Sequence, residues 1–550
     1  MFLVLSLITC SVYIIYLIFK KSKNLPPGPP IYALPLFGHL LHLGKHPQET
    51  LMKWCQQSKS DIMHCYFGQQ LVIVLNNYSL IKEAFMDDNY SARAQPFIFE
   101  EHFHGGVTSE QSLGERWLIH RKFAMDSLKK VGMEAFMDDN YSARAQPFIF
   151  EEHFHGKGLT YADGERWLIH RKFAMDSLKK VGMGKLFLQD TILDELTDVF
   201  SSIDKEEGEP LNIKGLLTHG LSNIICSFAF GQRFSQDNKK FRHIVSLIEE
   251  CFTLGSHDSW ITIFPLLRFI PIRSLGGNYK QFSKNFKQIF SFAKQLVEQH
   301  NDDNDGEDKD YIDAFLKQAK NDQLSQKENS TFDMDQLISS ITNLFIGGTE
   351  TTSTTLRWAL VYMIENAHIL EKVQQEIDQY MLIHNNNQLY VRMEDKPFLP
   401  YTTATILEIQ RCGNIATLGG STMHRNLQDT TLNGYNIPKN SYIAANFYAV
   451  HVDERQFAQP YQFDPTRFLS DDHKSVRRPA AFIPFSIGKK SCPGESLANM
   501  ELFLFFTNLV REYNFHVVNK NEQINSAKFY HTSLTRAPHD FYVSFSKRLY

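Results

Sequence analysis

The chain has 550 residues, 43% hydrophobic and 21% charged, which is long and apolar enough for a deep core. A net charge of −4 leaves no excess of positive charge for a polyanion, so no nucleic-acid partner is expected. Seven scattered cysteines without a CxxC pair exclude a disulfide framework and point to a reducing compartment.

In chain order, the first feature is FLVLSLITCSVYIIYLIF (2–19), an uncharged run that reaches roughly 27 Å as a helix, about one hydrocarbon core. KKSK follows it directly, and no small-residue cleavage site comes after. A transmembrane anchor is therefore expected at 2–19, with the rest of the chain in the cytosol. A basic and proline-rich hinge, LPPGPP included, fills 20–30 and reads as a stiff extended spacer. One large domain is expected over 31–550. IMHCYFGQQLVIVL (62–75) has the pattern of two strands around a glycine turn.

Next comes a tandem copy. EAFMDDNYSARAQPFIFEEHFHG stands at 83–105 and again at 134–156, and GERWLIHRKFAMDSLKKVGM at 114–133 and again at 164–183. The linkers alone differ, GVTSEQSL (106–113) against KGLTYAD (157–163). Two copies are too few to bury a solenoid core. Identity throughout both blocks marks a recent exon duplication or an assembly artefact.

From about 165 to 380 the apolar spacing is mainly helical, with a solvated Asp/Asn-rich loop over 300–310. Within this stretch, GGTETT (347–352) puts two small residues beside an acid and a hydroxyl. Gly347 and Gly348 would open room next to a ligand, while Glu350 and Thr351 could pass protons. Back-bonding of a Thr-rich helix explains the threonines but not the paired glycines. EIQR (408–411) spaces Glu408 and Arg411 one helical turn apart. Turn signals and short strands fill 413–445, and FDPTRF (463–468) follows. FSIGKKSCPGE (485–495) then sets Cys492 between Gly488 and Gly494, immediately before a helix at 495–512 and a strand-rich tail. Backbone N–H groups and the helix N-terminus there would lower the thiol pKa and favour a thiolate, the kind of ligand that pushes electron density onto a haem iron. A buried structural cysteine is the other reading of the same residues.

FSIGKKSCPG resembles the haem-thiolate signature F-x-x-G-x-R-x-C-x-G of the cytochromes P450, with Lys490 where arginine is usual. GGTETT resembles that family's oxygen-activation motif, EIQR its E-x-x-R pair, and FDPTRF its F-x-P-x-R-F segment, all in the family's order. Together with PPGPP and KDYIDAFL (309–316), the likeness runs over nearly all of 25–550 and points to the microsomal, animal family 2 type. The resemblance implies a mainly α fold with minor β and a single haem domain, holding haem b with Cys492 as axial iron ligand. It implies catalytic roles for Thr351 and Glu350. It also implies haem contacts from Trp167, Arg171, His424, Lys490, Phe485 and Gly494, and from the arginine of YSAR, Arg93 or its twin Arg144. Glu408, Arg411 and Arg467 would brace the cysteine loop. NADPH–cytochrome P450 reductase would supply electrons from NADPH, with cytochrome b5 as a second donor, at the endoplasmic reticulum membrane. Lys172, Lys179 and Lys180 lie on the helix expected to face the reductase. The implied reaction inserts one oxygen atom of O2 into an apolar small molecule. An inactive haem-binding paralogue and a reductase-independent isomerase are the two rival readings, and the intact Glu350–Thr351 pair weighs against the isomerase. RCGNIATLGGSTMHRN departs from the family by placing Thr417 at a usual proline, which leaves the substrate open.

Such a fold has one seat for the duplicated unit. KGLTYADGERW resembles the family's approach to this helix and GVTSEQSLGERW does not, so 157–183 is expected in the seat. The tether NNYSLIKEAF favours copy one for 76–105, with about fifty residues extruded between.

Overall fold

The structure is a computed structural model that describes residues 24–34, 37–68, 70–86, 92–93, 153–162, 164–183, 188–254, 278–300, 308–327, 330–384, 388–419, 423–518 and 525–548. The expected anchor, Arg144 and most of the 300–310 loop lie outside the described residues. Among the described residues no helix is long and apolar enough to cross a membrane.

Chain order gives α1 (Pro47–Gln57), β1 (Ile62–Phe67), β2 (Gln70–Leu75), α2 (Tyr78–Met86) and β3 (Ala92–Arg93). The helical body follows: α3 (Gly164–Lys180), α4 (Leu188–Lys205), α5 (Lys214–Ala229), α6 (Lys239–Leu254), α7 (Asn278–Glu298), α8 (Tyr311–Leu324), α9 (Met334–Glu365), α10 (Ala367–His384) and α11 (Pro400–Gly413). Then come β4 (His424–Arg425), β5 (Thr430–Leu432), β6 (Tyr435–Ile437), β7 (Tyr442–Ala445), α12 (Phe447–His451), α13 (Glu495–Glu512), β8 (Tyr513–Val517), β9 (Tyr530–Thr532), β10 (Arg536–Pro538) and β11 (Val543–Lys547). The expected strand pair, helical middle, short strands and final helix with a strand-rich tail are all present.

The alternation in 62–75 pairs β1 with β2 antiparallel, Ile62 opposite Leu75. That hairpin opens a five-stranded sheet ordered β1–β2–β7–β4–β3, with β2 and β7 parallel. Arg93 of copy one stands opposite His424 at its far edge. The proline-rich stretch lies against the domain at Pro27 and Gly28. Its extended carbonyls serve as acceptors: Pro27 O for the His64 N–H at 2.9 Å and Gly28 O for Ser58 Oγ at 3.0 Å.

The helical core is aromatic, with Trp358, Phe282, Phe315 and Phe345 fully buried. Its axis is α9, 32 residues and so about 48 Å long, begun by the Asp333 side chain accepting from Gln336 N at 2.8 Å. Pro400 starts α11, and Asn414 ends it in the left-handed conformation with φ +40°. α9 packs on α5, α11 and α13, and so carries the GGTETT turn past the helix that begins just after Cys492.

Candidate haem-thiolate site

The loop before α13 is shaped by two left-handed residues, Ser486 (φ +66°) and Gly488 (φ +76°). A Cβ on Gly488 would lie 2.0 Å from the Phe85 carbonyl oxygen, so only glycine lets the loop reach the end of α2. The turn closes when Cys492 N–H donates to Phe485 O at 2.9 Å. Cys492 is exposed, though the chain is dense around it. Burial pushes its thiol up, partly opposed by the Gly494 N–H and Arg171. This corrects the expected lowering: the helix-start groups are present, but desolvation outweighs them. A thiolate at this position would come from a metal displacing the proton.

Around this loop stand the cationic residues expected to meet carboxylates. Lys490 Nζ donates to Ala162 O at 2.8 Å and lies 3.8 Å over the Trp167 ring. Arg171 donates to Ser491 O at 2.6 Å, with its guanidinium 5.5 Å from the same ring. Trp167 Nε1 donates to Leu159 O at 3.1 Å. His424 is buried and stacked on Phe85 at 4.0 Å, opposite Arg93. A sulfur donor on a glycine-shaped loop, ringed by cations and an indole N–H, suits a flat iron macrocycle with two carboxylates. The residues therefore fit haem. Trp167, Arg171, His424 and Lys490 could hold the propionates and Cys492 the iron.

On α9 the two glycines do different work. A Cβ on Gly347 would meet nothing within 4 Å among the described residues, as expected for a residue facing open space. One on Gly348 would lie 2.3 Å from Ile225 Cδ1, so Gly348 serves close packing of α5 and does not open room for a ligand. Thr351 Oγ1 donates to Gly347 O at 2.8 Å, which leaves its oxygen able to accept. Glu350 is buried, its Oε1 accepting from Thr354 at 2.7 Å and its Oε2 without a partner among the described residues. Burial pushes its carboxyl up to about 7. Thr352 donates to Glu501 on α13 at 3.0 Å, tying this turn to the helix that follows the cysteine.

The brace of Glu408, Arg411 and Arg467 is also built. Arg411 meets Glu408 through two bonds of 2.7 Å, and Arg467 adds a third at 3.1 Å. Sequence spacing missed the connection to the loop, which runs through His451. Arg411 donates to His451 O at 2.7 Å, and His451 Nε2 accepts from Ile483 N at 3.0 Å, two residues before Phe485. Burial drives the His451 imidazole down to about 3, so the ring is neutral and can accept. Also unforeseen was Asn343 on α9, whose Oδ1 accepts from Leu159 N at 2.8 Å and Thr160 N at 3.0 Å. No motif marks either residue; only the tertiary fold brings them to their partners.

In the stretch that departs from the family, Thr417 is buried with its carbonyl accepting from Tyr448 N, and Leu534 of the strand-rich tail packs half-buried against the core. Residues 420–422 lie outside the described set.

The family model that matches the chain is "Cytochrome P450", over residues 26–140 and again over 129–545. The two matches overlap over 129–140, inside the duplicated region. The chain is 31% identical over 523 residues to cytochrome P450 2J5 of Mus musculus, covering 93% of this chain and 90% of the relative. It is 31% identical over 516 residues to cytochrome P450 2J2 of Homo sapiens, covering 93% and 89%. It is 32% identical over 510 residues to cytochrome P450 2F2 of Mus musculus, covering 91% and 90%.

Proposed function

Because the chain belongs to the cytochrome P450 family, and so is a haem-thiolate monooxygenase, we propose that Cys492 is its iron ligand and that Glu350 and Thr351 deliver its protons. The observation that carries this reading is that Ser491 and Lys490 of the cysteine loop meet Arg171 and Trp167, while Thr352, next to the Glu350–Thr351 pair, is tied to Glu501 on the helix behind that loop.

Haem, when bound, supplies the activation of dioxygen at its iron. The chain's own residues place and serve it. Trp167, Arg171, Arg93, His424 and Lys490 balance the propionate charge, while Phe485 and Gly494 shape the loop around the sulfur. Glu350 is buried and holds a proton near neutral pH, and its Oε2, without a partner among the described residues, is the atom from which that proton can leave. Thr351, its own proton held by Gly347 O, offers an oxygen that can accept and orient.

Electrons come from NADPH through NADPH–cytochrome P450 reductase, with cytochrome b5 as a second donor. The exposed Lys172, Lys179 and Lys180 on α3 support a basic docking face for acidic flavin domains. The substrate is an apolar small molecule, in keeping with the aromatic core and half-buried Leu344, Ile346 and Leu534. The apolar run at 2–19 and the KKSK behind it support an anchor in the endoplasmic reticulum membrane, a hinge at 20–30 and a cytosolic domain at 31–550.

The reduced, CO-bound spectrum tests the ligand. The thiolate-type Soret shift is expected for the parent chain and should be lost in Cys492→Ser, and its absence from folded parent protein rejects the assignment. NADPH consumption with added reductase, matched by product, separates a monooxygenase from an inactive paralogue. Trp167→Ala should lose haem and Trp117→Ala should keep it; the reverse would move the seat to copy one.

A further inference from the structure

The two copies of GERWLIHRKFAMDSLKK are identical, so no contact made by that helix can decide which copy packs beside the cysteine loop. Only residues that differ can decide, and these are the linkers and the segments beyond. We propose that the linker at 157–162 is the address that seats α3, and that Asn343, Asp333 and Asp335 on and before α9 read it.

The contacts are specific. Lys157 Nζ bonds Asp333 Oδ1 at 3.0 Å and Asp335 Oδ2 at 2.9 Å. Gly158 lies at φ +87°, and a Cβ there would be 2.5 Å from Asn343 Oδ1. That closeness lets the single oxygen of Asn343 take both following N–H groups, Leu159 and Thr160. Leu159 is buried, Ala162 fully so, and Tyr161 is buried against Phe154 at 4.9 Å.

The other linker, GVTSEQSL, cannot meet these demands in either ungapped register. Counted forward from the shared HFHG, it puts Val107 at the Gly158 position, Thr108 at Leu159 and Glu110 at Tyr161. Counted back from the shared GERW, it puts Thr108 at Gly158, Ser109 at Leu159 and Gln111 at Tyr161. Both registers strain a left-handed position with a side chain and bury a polar group where an aromatic ring packs. Neither supplies a lysine for Asp333 and Asp335. Asn343 thus acts as a positioning residue for the helix that carries Trp167 and Arg171, through its bonds to Leu159 N and Thr160 N.

Thiol protection tests this without haem or turnover. Ser177 is buried, and Ser127 is its twin in copy one. In separate Ser177→Cys and Ser127→Cys proteins, maleimide labelling mapped by peptide mass should be about tenfold slower at 177 than at 127. Exchanging the linkers, KGLTYAD into copy one and GVTSEQSL into copy two, should reverse that order in protein that still melts cooperatively. An unchanged order in the folded exchange protein overturns the proposal, because the join to α4 and not the linker would then choose the copy. Equal labelling of the two parent thiols overturns it as well. If the exchanged chain does not fold, Asn343→Ala in the parent decides: the ratio should fall about threefold or more as the seated helix opens, and an unchanged ratio rejects the role of Asn343.

Discussion

Glu350 shows how burial sets both the chemistry and the stability of a single residue. Its carboxyl is pushed from an ordinary 4.5 to about 7, with burial the main cause and the Thr354 hydroxyl opposing it. Between these values the folded protein keeps a proton that the unfolded chain has lost. Stability therefore falls as pH rises from about 4.5 to about 7 and levels off above, a change of roughly 3 kcal/mol at most from this group. Glu350→Gln should flatten that part of the decline, so its thermal midpoint relative to the parent should rise between pH 5 and pH 8. The same variant should make about tenfold less product per NADPH while keeping its CO-bound spectrum. A parent-like product yield would remove Glu350 from proton delivery. The loop glycines make a second residue-scale case. Gly488→Ala meets a backbone oxygen at 2.0 Å and a left-handed φ, and should cost about 2 kcal/mol or more. At Gly494 an added Cβ makes only an ordinary 3.9 Å contact with Cys492 Sγ, so Gly494→Ala should stay within about 0.5 kcal/mol on denaturant unfolding.

Among elements, α11 matters through what it fixes elsewhere. Glu408 is fully buried, and its carboxylate answers both Arg411 and Arg467 while also accepting from Asp464 N at 2.9 Å. Removing it strands the buried Arg411 cation, a loss of about 3–5 kcal/mol. Glu408→Ala should therefore yield little folded protein, and the fraction recovered should bind haem poorly, read from Soret absorbance per protein. Arg411→Lys keeps the charge but loses the two-point contact and the bond to His451 O. Its loss of haem with a folded far-UV spectrum would show that the brace acts on the loop. The residues of this brace were legible through the resemblance, because EIQR and FDPTRF stand in the family's order; spacing alone offers only Glu408 and Arg411 one turn apart on a helix. His451 and Asn343 were not legible, because each links groups far apart in the chain through at least one backbone group, which any residue type can offer. The two glycines of α9 looked equivalent for a related reason: spacing records the missing side chain but not whether Ile225 or open space takes its place.

For the whole molecule, the fold was readable because its motifs and periodicities lie mostly outside the duplication. The duplicated segment was only half readable, since identical sequences carry no information about which is seated. The described contacts use copy one up to Arg93 and copy two from His153 onward. Excising 94–144 joins Arg93 to Ala145 in the frame of the repeat and keeps every one of those contacts. It shortens the connection between them from about sixty residues to fewer than ten, which by loop-closure entropy favours folding by roughly 2 kcal/mol. It also removes Phe97, Phe99, Phe103, Trp117 and Phe123, apolar side chains that duplicate those of the remaining copy. The excised chain should therefore fold with the same CO-bound spectrum, a higher thermal midpoint and less aggregation by light scattering. If it instead loses haem while the full-length chain retains it, residues of 94–144 contribute to the seat, and the division at Arg93 and His153 is wrong.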